Sequence, residues 1–182
     1  MEKTDLIAQI KSKSVEAFDQ LIEQYGDRLY WHIRRIVVQH EEAEDVMQET
    51  FTRAFLSIGD FRGETESSLT AWLYRIATNL AIRALQKRKR GIFSSLDSVR
   101  GDLLATFEHE VEPSADEIVV RLQRAILSLP TKQRLVFNMR YYDELSFEQI
   151  SQATGQSVST LKTNYHYAVQ KIKEQVKVIE IE

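Results

Sequence analysis

The segment LSFEQISQATGQSVSTLKTNYHYAVQKIKEQV, residues 145–176, carries the signals for two helices separated by a tight turn. Ser146 precedes Gln149 by three residues, the spacing of a capping box at a helix start. Gly155 stands where a turn needs a residue that tolerates positive φ, and Ser157 can cap the second helix. The pattern is typical of a helix-turn-helix, although a plain helical hairpin would have the same spacing.

The predicted second helix has an apolar face and a polar face. Its apolar face, at three- and four-residue steps, consists of Leu161, Tyr165, Ala168 and Ile172. Its polar face includes Thr160, Thr163, Asn164, Tyr167 and Lys171. In a helix-turn-helix this face enters the major groove of DNA, where Thr, Asn and Lys side chains can contact base edges and phosphates.

A second informative segment, TAWLYRIATNLAIRALQKRKR at residues 70–90, begins as an apolar helix and ends in a basic block. Residues 61–90 carry seven basic and two acidic side chains, in a chain whose formal net charge is −3. One side of this helix is lined by Trp72, Arg75, Asn79, Arg83 and Gln86. Aromatic, amide and guanidinium groups together suit single-stranded nucleic acid. The alternative for the basic block is a solvated helix end. For Trp72 the alternative is packing in the core, and for that residue alone it is the preferred interpretation.

The segment EEAEDVMQETFTRAF, residues 41–55, also predicts a two-faced helix. Its apolar side consists of Met47, Phe51, Ala54, Phe55 and, just beyond the segment, Ile58. Its polar side consists of Asp45, Gln48, Glu49, Thr52 and Arg53. Such a face is either solvated or a docking surface for a protein partner, and the spacing fits both.

Composition predicts the fold class and excludes several kinds of site. The 182 residues include only two prolines and six glycines, which favours an all-α fold. The absence of cysteine excludes disulfides and thiolate chemistry. The four histidines are scattered, so we expect no metal site, no cofactor and no catalytic residue. Neither a membrane-spanning segment nor a signal peptide is expected, which predicts a cytoplasmic protein.

The helical patterns divide the chain into two parts. Helices are predicted at about residues 14–38, 41–58 and 69–89, the first either continuous or interrupted near Gly26. An acidic stretch with Gly, Ser and Pro follows, with a short helical piece expected near residues 103–107. Ser114 with Glu117 forms a second possible capping box, and Thr131 can cap the helix after Pro130. We therefore predict a helical domain at 1–92, a flexible acidic linker at 93–113 and a second helical domain at 114–182.

Three segments in this order resemble one protein family. EAEDVMQETFTRAF, then FRGETESSLTAWLYRIATNL, then LSLPTKQRLVFNMRYYDELSFEQISQATGQSVSTLKT resemble the extracytoplasmic-function, or group IV, sigma factors of the sigma-70 family. The resemblance extends over about residues 15–176. It implies a dissociable, non-enzymatic subunit that directs bacterial RNA polymerase to promoters and initiates transcription. It also implies control by an anti-sigma factor that clamps the two domains together.

The resemblance implies a role for each polar surface. The helix at 41–58 would dock on the β′ clamp through Asp45, Gln48, Glu49 and Arg53. The first domain would open the −10 element and hold an unpaired base, and the positions that match this role are Phe61, Arg62, Gly63 and Asn79. The basic run Lys87, Arg88, Lys89 and Arg90 would lie along the phosphates of the opened strand. Trp72, Arg75 and Arg83 complete the set of expected −10 DNA-binding residues. The helix-turn-helix would read the −35 duplex while its other face contacts the β flap. The residues implied there are Ser159, Thr160, Lys162, Thr163, Asn164, Tyr167 and Lys171.

Two other classes of function compete with this one. A transcriptional regulator would use the helix-turn-helix on an operator and the first domain for dimerisation or sensing, and it would bind duplex DNA as a dimer without polymerase. An enzyme would require a catalytic constellation. The nearest candidate, Glu108–His109–Glu110, lies in the predicted linker, where solvated charge is the simpler explanation.

Overall fold

The computed structural model describes residues 3–88 and 100–177, which form helices joined by short connections. These residues contain no β-strand, which confirms the prediction of an all-α fold. None of their helices has the length and hydropathy needed to cross a membrane. The α-helices are α1 (Lys3–Lys11), α2 (Val15–Val37), α3 (His40–Ser57), α4 (Glu66–Arg88), α5 (Arg100–Glu110), α6 (Glu117–Leu127), α7 (Thr131–Tyr141), α8 (Phe147–Thr154) and α9 (Val158–Lys177).

Helix α2 is one continuous helix of 23 residues, with Gly26 inside it rather than at a break. Ser14 caps it by accepting a hydrogen bond from the Ala17 amide at 3.3 Å. Val38 ends it with a φ of 67°, and its amide donates to the Arg34 carbonyl at 2.9 Å. This left-handed residue leaves only two residues between α2 and α3, so the two helices pack side by side.

Helices α1 to α4 bury one stripe each in a common core. In α4 the residues Leu69, Leu73 and Leu80 are buried, whereas Ile76 is only half-buried. Helix α1 was not predicted, yet Ile7 and Ile10 place it in the same core. The other main contributors are Leu21, Tyr25, Leu29 and Ile33 of α2 and Val46, Phe51 and Ala54 of α3.

Two of the predicted helix caps in the second half are wrong. Asp116, not Ser114, precedes α6, and its carboxylate accepts the Ile118 amide at 2.8 Å. Asp116 takes this role because it directly precedes the first helical residue, where its oxygen reaches a free amide. Thr131 is the first residue of α7 rather than its cap. Pro130 occupies the cap position, and its carbonyl accepts the Arg134 amide at 2.9 Å.

The helix-turn-helix prediction is confirmed in its local geometry. Ser146 and Gln149 form the capping box of α8, with reciprocal hydrogen bonds of 3.1 and 2.9 Å. Gly155 ends α8 with a φ of 74°. Ser157 caps α9 by accepting the Thr160 amide at 3.1 Å. The apolar stripe of α9 packs inward: Leu161, Ala168 and Ile172 are buried and Tyr165 is half-buried.

Part of the predicted linker is helical. Helix α5 spans 11 residues, more than the short piece expected near residues 103–107, and residues 93–99 lie outside the described part of the chain. Leu103 is fully buried in the core that the first helices share. Glu110, at the end of α5, pairs with Arg34 of α2 at 2.5 Å. Helix α5 is therefore packed against the rest of the protein, because the buried Leu103 side chain and the ion pair of Glu110 both hold it there.

The two halves of the chain pack against each other. Helix α8 lies directly on α4, and the turn between α7 and α8 meets α2. Asp143 in that turn is almost fully buried. Its carboxylate lies 2.7 Å from His32 Nδ1 and accepts a 3.2 Å hydrogen bond from Arg35. His32 Nε2 is 2.8 Å from the Thr78 hydroxyl of α4. Burial, reinforced by the Asp143 charge, raises the pKa of the neighbouring Tyr74 well above its ordinary value.

Candidate nucleic-acid and protein interfaces

The polar face of α3 is exposed along its length. Asp45, Gln48 and Glu49 project into solvent, while Val46 and Thr50 on the opposite side are buried. Arg53 is fixed by Glu49 one turn earlier, whose carboxylate oxygen accepts hydrogen bonds from Arg53 Nε at 2.8 Å and Nη2 at 2.6 Å. Because both side chains are half-exposed, this pair orders the surface more than it stabilises the fold.

A groove of about 590 Å³ lies between α3 and α4. Asp45, Glu49 and Arg53 line its α3 wall, and Arg83 and Lys87 line its α4 wall. The residues implied in polymerase docking and those implied in −10 binding are therefore adjacent. A protein on α3 and a nucleic acid strand on α4 could be bound side by side.

The basic block is only partly available to a ligand. Lys87 is exposed, whereas Arg88 is half-buried, and Lys89 and Arg90 lie outside the described residues. Arg88 donates to the Val37 carbonyl at 2.9 Å and pairs with Glu42 of α3. Its guanidinium thus joins the end of α4 to the end of α2 and the start of α3. A role for Arg88 in binding phosphate stays a prediction, and this internal pairing would compete with it.

The connection at residues 61–65 is held closely against the start of α4. Phe61 is buried, and its ring lies 5.0 Å from the ring of half-buried Trp72. A Cβ on Gly63 would lie 2.3 Å from the Ser68 hydroxyl and 2.4 Å from the edge of the Phe61 ring. A larger residue at that point would force the Ser68 hydroxyl and the Phe61 ring to shift. Between Phe61 and Gly63 the side chain of Arg62 is exposed.

Helix α4 presents a continuous polar line to solvent. Arg75, Asn79 and Arg83 are all exposed, at intervals of about one turn. Asn79 and Arg83 border a shallow groove of about 320 Å³ whose floor includes Ile76 and Leu80. An amide and two guanidiniums beside an apolar surface can hold phosphates and contact a base at the same time. The half-buried position of Trp72 agrees with its preferred interpretation as a packing residue.

The polar face of α9 is also exposed. Asn164 is half-buried, and all the other residues implied in −35 binding are exposed: Ser159, Thr160, Lys162, Thr163, Tyr167 and Lys171. The Thr163 hydroxyl donates to the Ser159 carbonyl at 3.1 Å, and Lys162 lies 5.8 Å from the centre of the Phe147 ring. The N-terminal half of α9 thus offers hydroxyl, amide and ammonium groups, as a recognition helix does.

Comparisons with known proteins agree with this arrangement. The model of sigma-70 region 2 matches residues 21–91, and that of sigma-70 region 4 matches residues 120–172. The chain is 32% identical to the ECF RNA polymerase sigma factor SigW of Bacillus subtilis over 179 residues, 94% of this chain and 95% of the relative. It belongs to the ECF RNA polymerase sigma factors. The RNA polymerase sigma-H factor of Pseudomonas aeruginosa is 30% identical, over 87% of this chain and 85% of that protein.

Two solved structures share the fold of this sigma factor. CnrH in complex with the cytosolic domain of CnrY has a TM-score of 0.72 and 23% identity, covering 97% of both chains. RpoE from Bartonella quintana in complex with the anti-sigma factor NepR has a TM-score of 0.68 and 20% identity, covering 91% of this chain and 99% of that one. Both family resemblance and fold class, predicted from the sequence, are therefore confirmed.

Sequence reasoning missed two groups of residues in this sigma factor. Lys11, at the end of α1, donates from Nζ to the Gly63 carbonyl at 2.8 Å, and the spacing of Leu6, Ile7 and Ile10 was the available signal for that helix. The network around Asp143 had no signal, because its members are up to 111 residues apart in the chain. In the part of the chain that the structure describes, no group of His, Asp or Glu residues could hold a metal ion.

Proposed function

We propose that this sigma factor divides its work among three surfaces: α3 docks on the β′ clamp of core RNA polymerase, α4 with residues 61–65 opens the −10 element, and α9 reads the −35 duplex. The exposed polar face of α3 carries this proposal, because it is a surface with well-ordered charges that the fold does not use. The domain boundaries implied at 1–92 and 114–182 belong to the same proposal.

The docking role of α3 is supported by the chemistry of its surface. Asp45 and Glu49 are exposed acids, and Gln48 between them can donate and accept hydrogen bonds. Interfaces with opposite charge guide the encounter of two proteins and fix their register. A partner with basic side chains fits this face.

The −10 role of α4 is supported by its line of Arg75, Asn79 and Arg83 and by the rigid connection that presents Arg62. Capture of an unstacked base costs a few kcal/mol, which a preformed site helps to offset. The free protein is net acidic, so we expect weak binding to promoters until polymerase brings these surfaces to DNA and multivalency strengthens the contact.

Control by an anti-sigma factor is supported by the structural neighbours, since RpoE was solved with the anti-sigma factor NepR and CnrH with the cytosolic domain of CnrY. We propose that this chain has an anti-sigma factor that covers its DNA- and polymerase-binding surfaces. The sigma factor itself would act in the cytoplasm, where RNA polymerase and promoter DNA are found. It would contribute binding energy rather than covalent catalysis.

The test is the affinity for purified core RNA polymerase of the host. The triple variant Asp45→Ala, Gln48→Ala, Glu49→Ala should bind roughly thirty-fold more weakly, about 2 kcal/mol. The matched control removes the same residue types from α2, through Glu16→Ala, Asp19→Ala and Gln20→Ala, all of which are exposed. It should bind like the wild type.

Other outcomes would overturn the docking assignment or the function. Equal losses in both triple variants would show a general charge effect rather than a docking face. If the wild-type chain does not bind core polymerase but binds duplex DNA as a stable dimer, it is an ordinary transcriptional regulator.

A further inference from the structure

We propose that Lys11 is a positioning residue for −10 strand opening, and that α1 belongs to the DNA-binding machinery through it. The inference rests on the proposed function of residues 61–65. Lys11 has no assigned role, and the match to sigma-70 region 2 begins only at residue 21.

Lys11 makes two contacts with the connection before α4. Its Nζ donates a hydrogen bond to the Gly63 carbonyl at 2.8 Å and lies 5.4 Å from the centre of the Phe61 ring. The first contact is a charge-assisted hydrogen bond, and the second is a cation–π interaction. Lysine side chains are usually mobile, so two contacts with one short segment define a specific position.

The position of Lys11 is set by the buried end of α1. Ile10 is fully buried and Ile7 nearly so. The turn into α2 is tight, because the Ser12 amide donates to the Ala8 carbonyl at 3.0 Å and the Ser14 amide to the Gln9 carbonyl at 3.1 Å. The Lys11 backbone is therefore fixed, and only its side chain has to be ordered when it meets residues 61–63.

The receiving segment is fixed at both ends. Phe61 is held by Trp72, and Thr65 and Ser68 exchange hydrogen bonds between backbone and hydroxyl at 3.2 Å each. Lys11 contacts the two residues on either side of exposed Arg62. Loss of the amine would free the Gly63 carbonyl and the Phe61 ring, and with them the direction in which Arg62 projects.

The charge of Lys11 also lies where DNA is expected. Among residues 3–88 and 100–177 it pairs with no carboxylate. Its half-buried ammonium is therefore available to attract phosphate, in addition to orienting Arg62. The positioning role depends on the hydrogen bond, whereas the attraction depends on charge alone, so variants can separate them.

The experiment compares Lys11→Met with Lys11→Arg and with Lys13→Met in the full chain bound to core polymerase. Lys13 is exposed and contacts the Phe55 ring on α3 at 5.6 Å, so its variant loses the same charge without touching residues 61–63. A duplex promoter is first selected by wild-type transcription from a library with randomised −10 and −35 elements. Promoter opening is monitored over time by the permanganate reactivity of unpaired thymines.

We expect Lys11→Met to slow opening of the duplex promoter by about ten-fold. Affinity for core polymerase should stay within about two-fold of wild type. Lys11→Arg should restore most of the rate, and Lys13→Met should open promoters like the wild type. Discrimination against substitutions at the captured base should fall in Lys11→Met, which a purely stabilising role would not cause.

Several results would overturn the proposal. If Lys11→Met and Lys13→Met opened promoters equally fast, or equally slowly, Lys11 would have no positioning role. A fall in the melting temperature of more than about 10 °C in Lys11→Met would be a large effect for a chain of this size. In that case the folded Lys11→Arg variant decides, and promoter opening as slow as that of Lys11→Met would contradict the positioning role.

The variant Arg62→Ala distinguishes a failure of the function proposed for residues 61–65 from a failure of the positioning role of Lys11. If it does not slow opening, the function proposed for residues 61–65 is wrong; if it does and Lys11→Met does not, only the positioning proposal fails.

Discussion

At the scale of single residues, Gly63 shows how steric crowding alone can require a glycine in the proposed −10 site. A methyl group there would overlap the Ser68 hydroxyl and the Phe61 ring. The serine could rotate away, but the Phe61 ring is buried and packs against Trp72, so a shift of the ring would disturb that packing. The requirement for glycine is thus set by the crowding at residue 63, and not by a positive φ.

We therefore expect Gly63→Ala to lower the free energy of unfolding by about 1–3 kcal/mol, the usual cost of an extra group in a packed site. Urea denaturation followed by circular dichroism measures it. Gly59→Ala is the matched control, because its Cβ would meet nothing within 4 Å, and it should change stability by less than about 0.5 kcal/mol. Equal effects at both glycines would contradict the steric argument.

At the scale of helices, the sequence predicted most of the fold because each element carries local signals. The capping box of α8 and the glycine after it were readable, since both depend on residues only a few positions apart. The cap of α6 was misassigned because Ser114 and Asp116 both fit, and only the observed helix start distinguishes them. Helix α1 was overlooked because its apolar pattern is short, and the Lys11 contact spans 52 residues.

Substitutions at the helix caps test which residues cap α6 and α8. Ser146→Ala should lower the free energy of unfolding by about 1 kcal/mol, because it removes the oxygen that accepts the Gln149 amide. Asp116→Ala should cost a similar amount, and Ser114→Ala almost nothing. Thermal unfolding of the three variants measures the differences. A loss at Ser114 equal to that at Asp116 would restore the original capping assignment.

At the scale of the whole molecule, the packing of α8 on α4 conflicts with simultaneous binding of both promoter elements. Packed helices have axes about 8–10 Å apart, so α4 and α9, with α8 between them, are separated by roughly 20 Å. The −10 and −35 elements are about 25 base pairs apart, roughly 85 Å of duplex at 3.4 Å per base pair. A chain that contacts both elements must therefore separate α8 from α4 and break the contacts of Asp143 with α2.

Asp143→Asn tests what holds the halves together. The change keeps the shape but removes the charge that Arg35 and His32 surround, so the free energy of unfolding should fall by about 3 kcal/mol. The chain has no cysteine, so Gln20→Cys and Gln152→Cys, both at exposed positions, allow fluorescent labels on α2 and α8. Energy transfer between them should decrease in Asp143→Asn and stay at the wild-type level in Glu144→Gln, an exposed neighbour. Unchanged transfer and an unchanged unfolding midpoint in Asp143→Asn would mean that apolar packing between α4 and α8, rather than the buried charge, keeps the molecule closed.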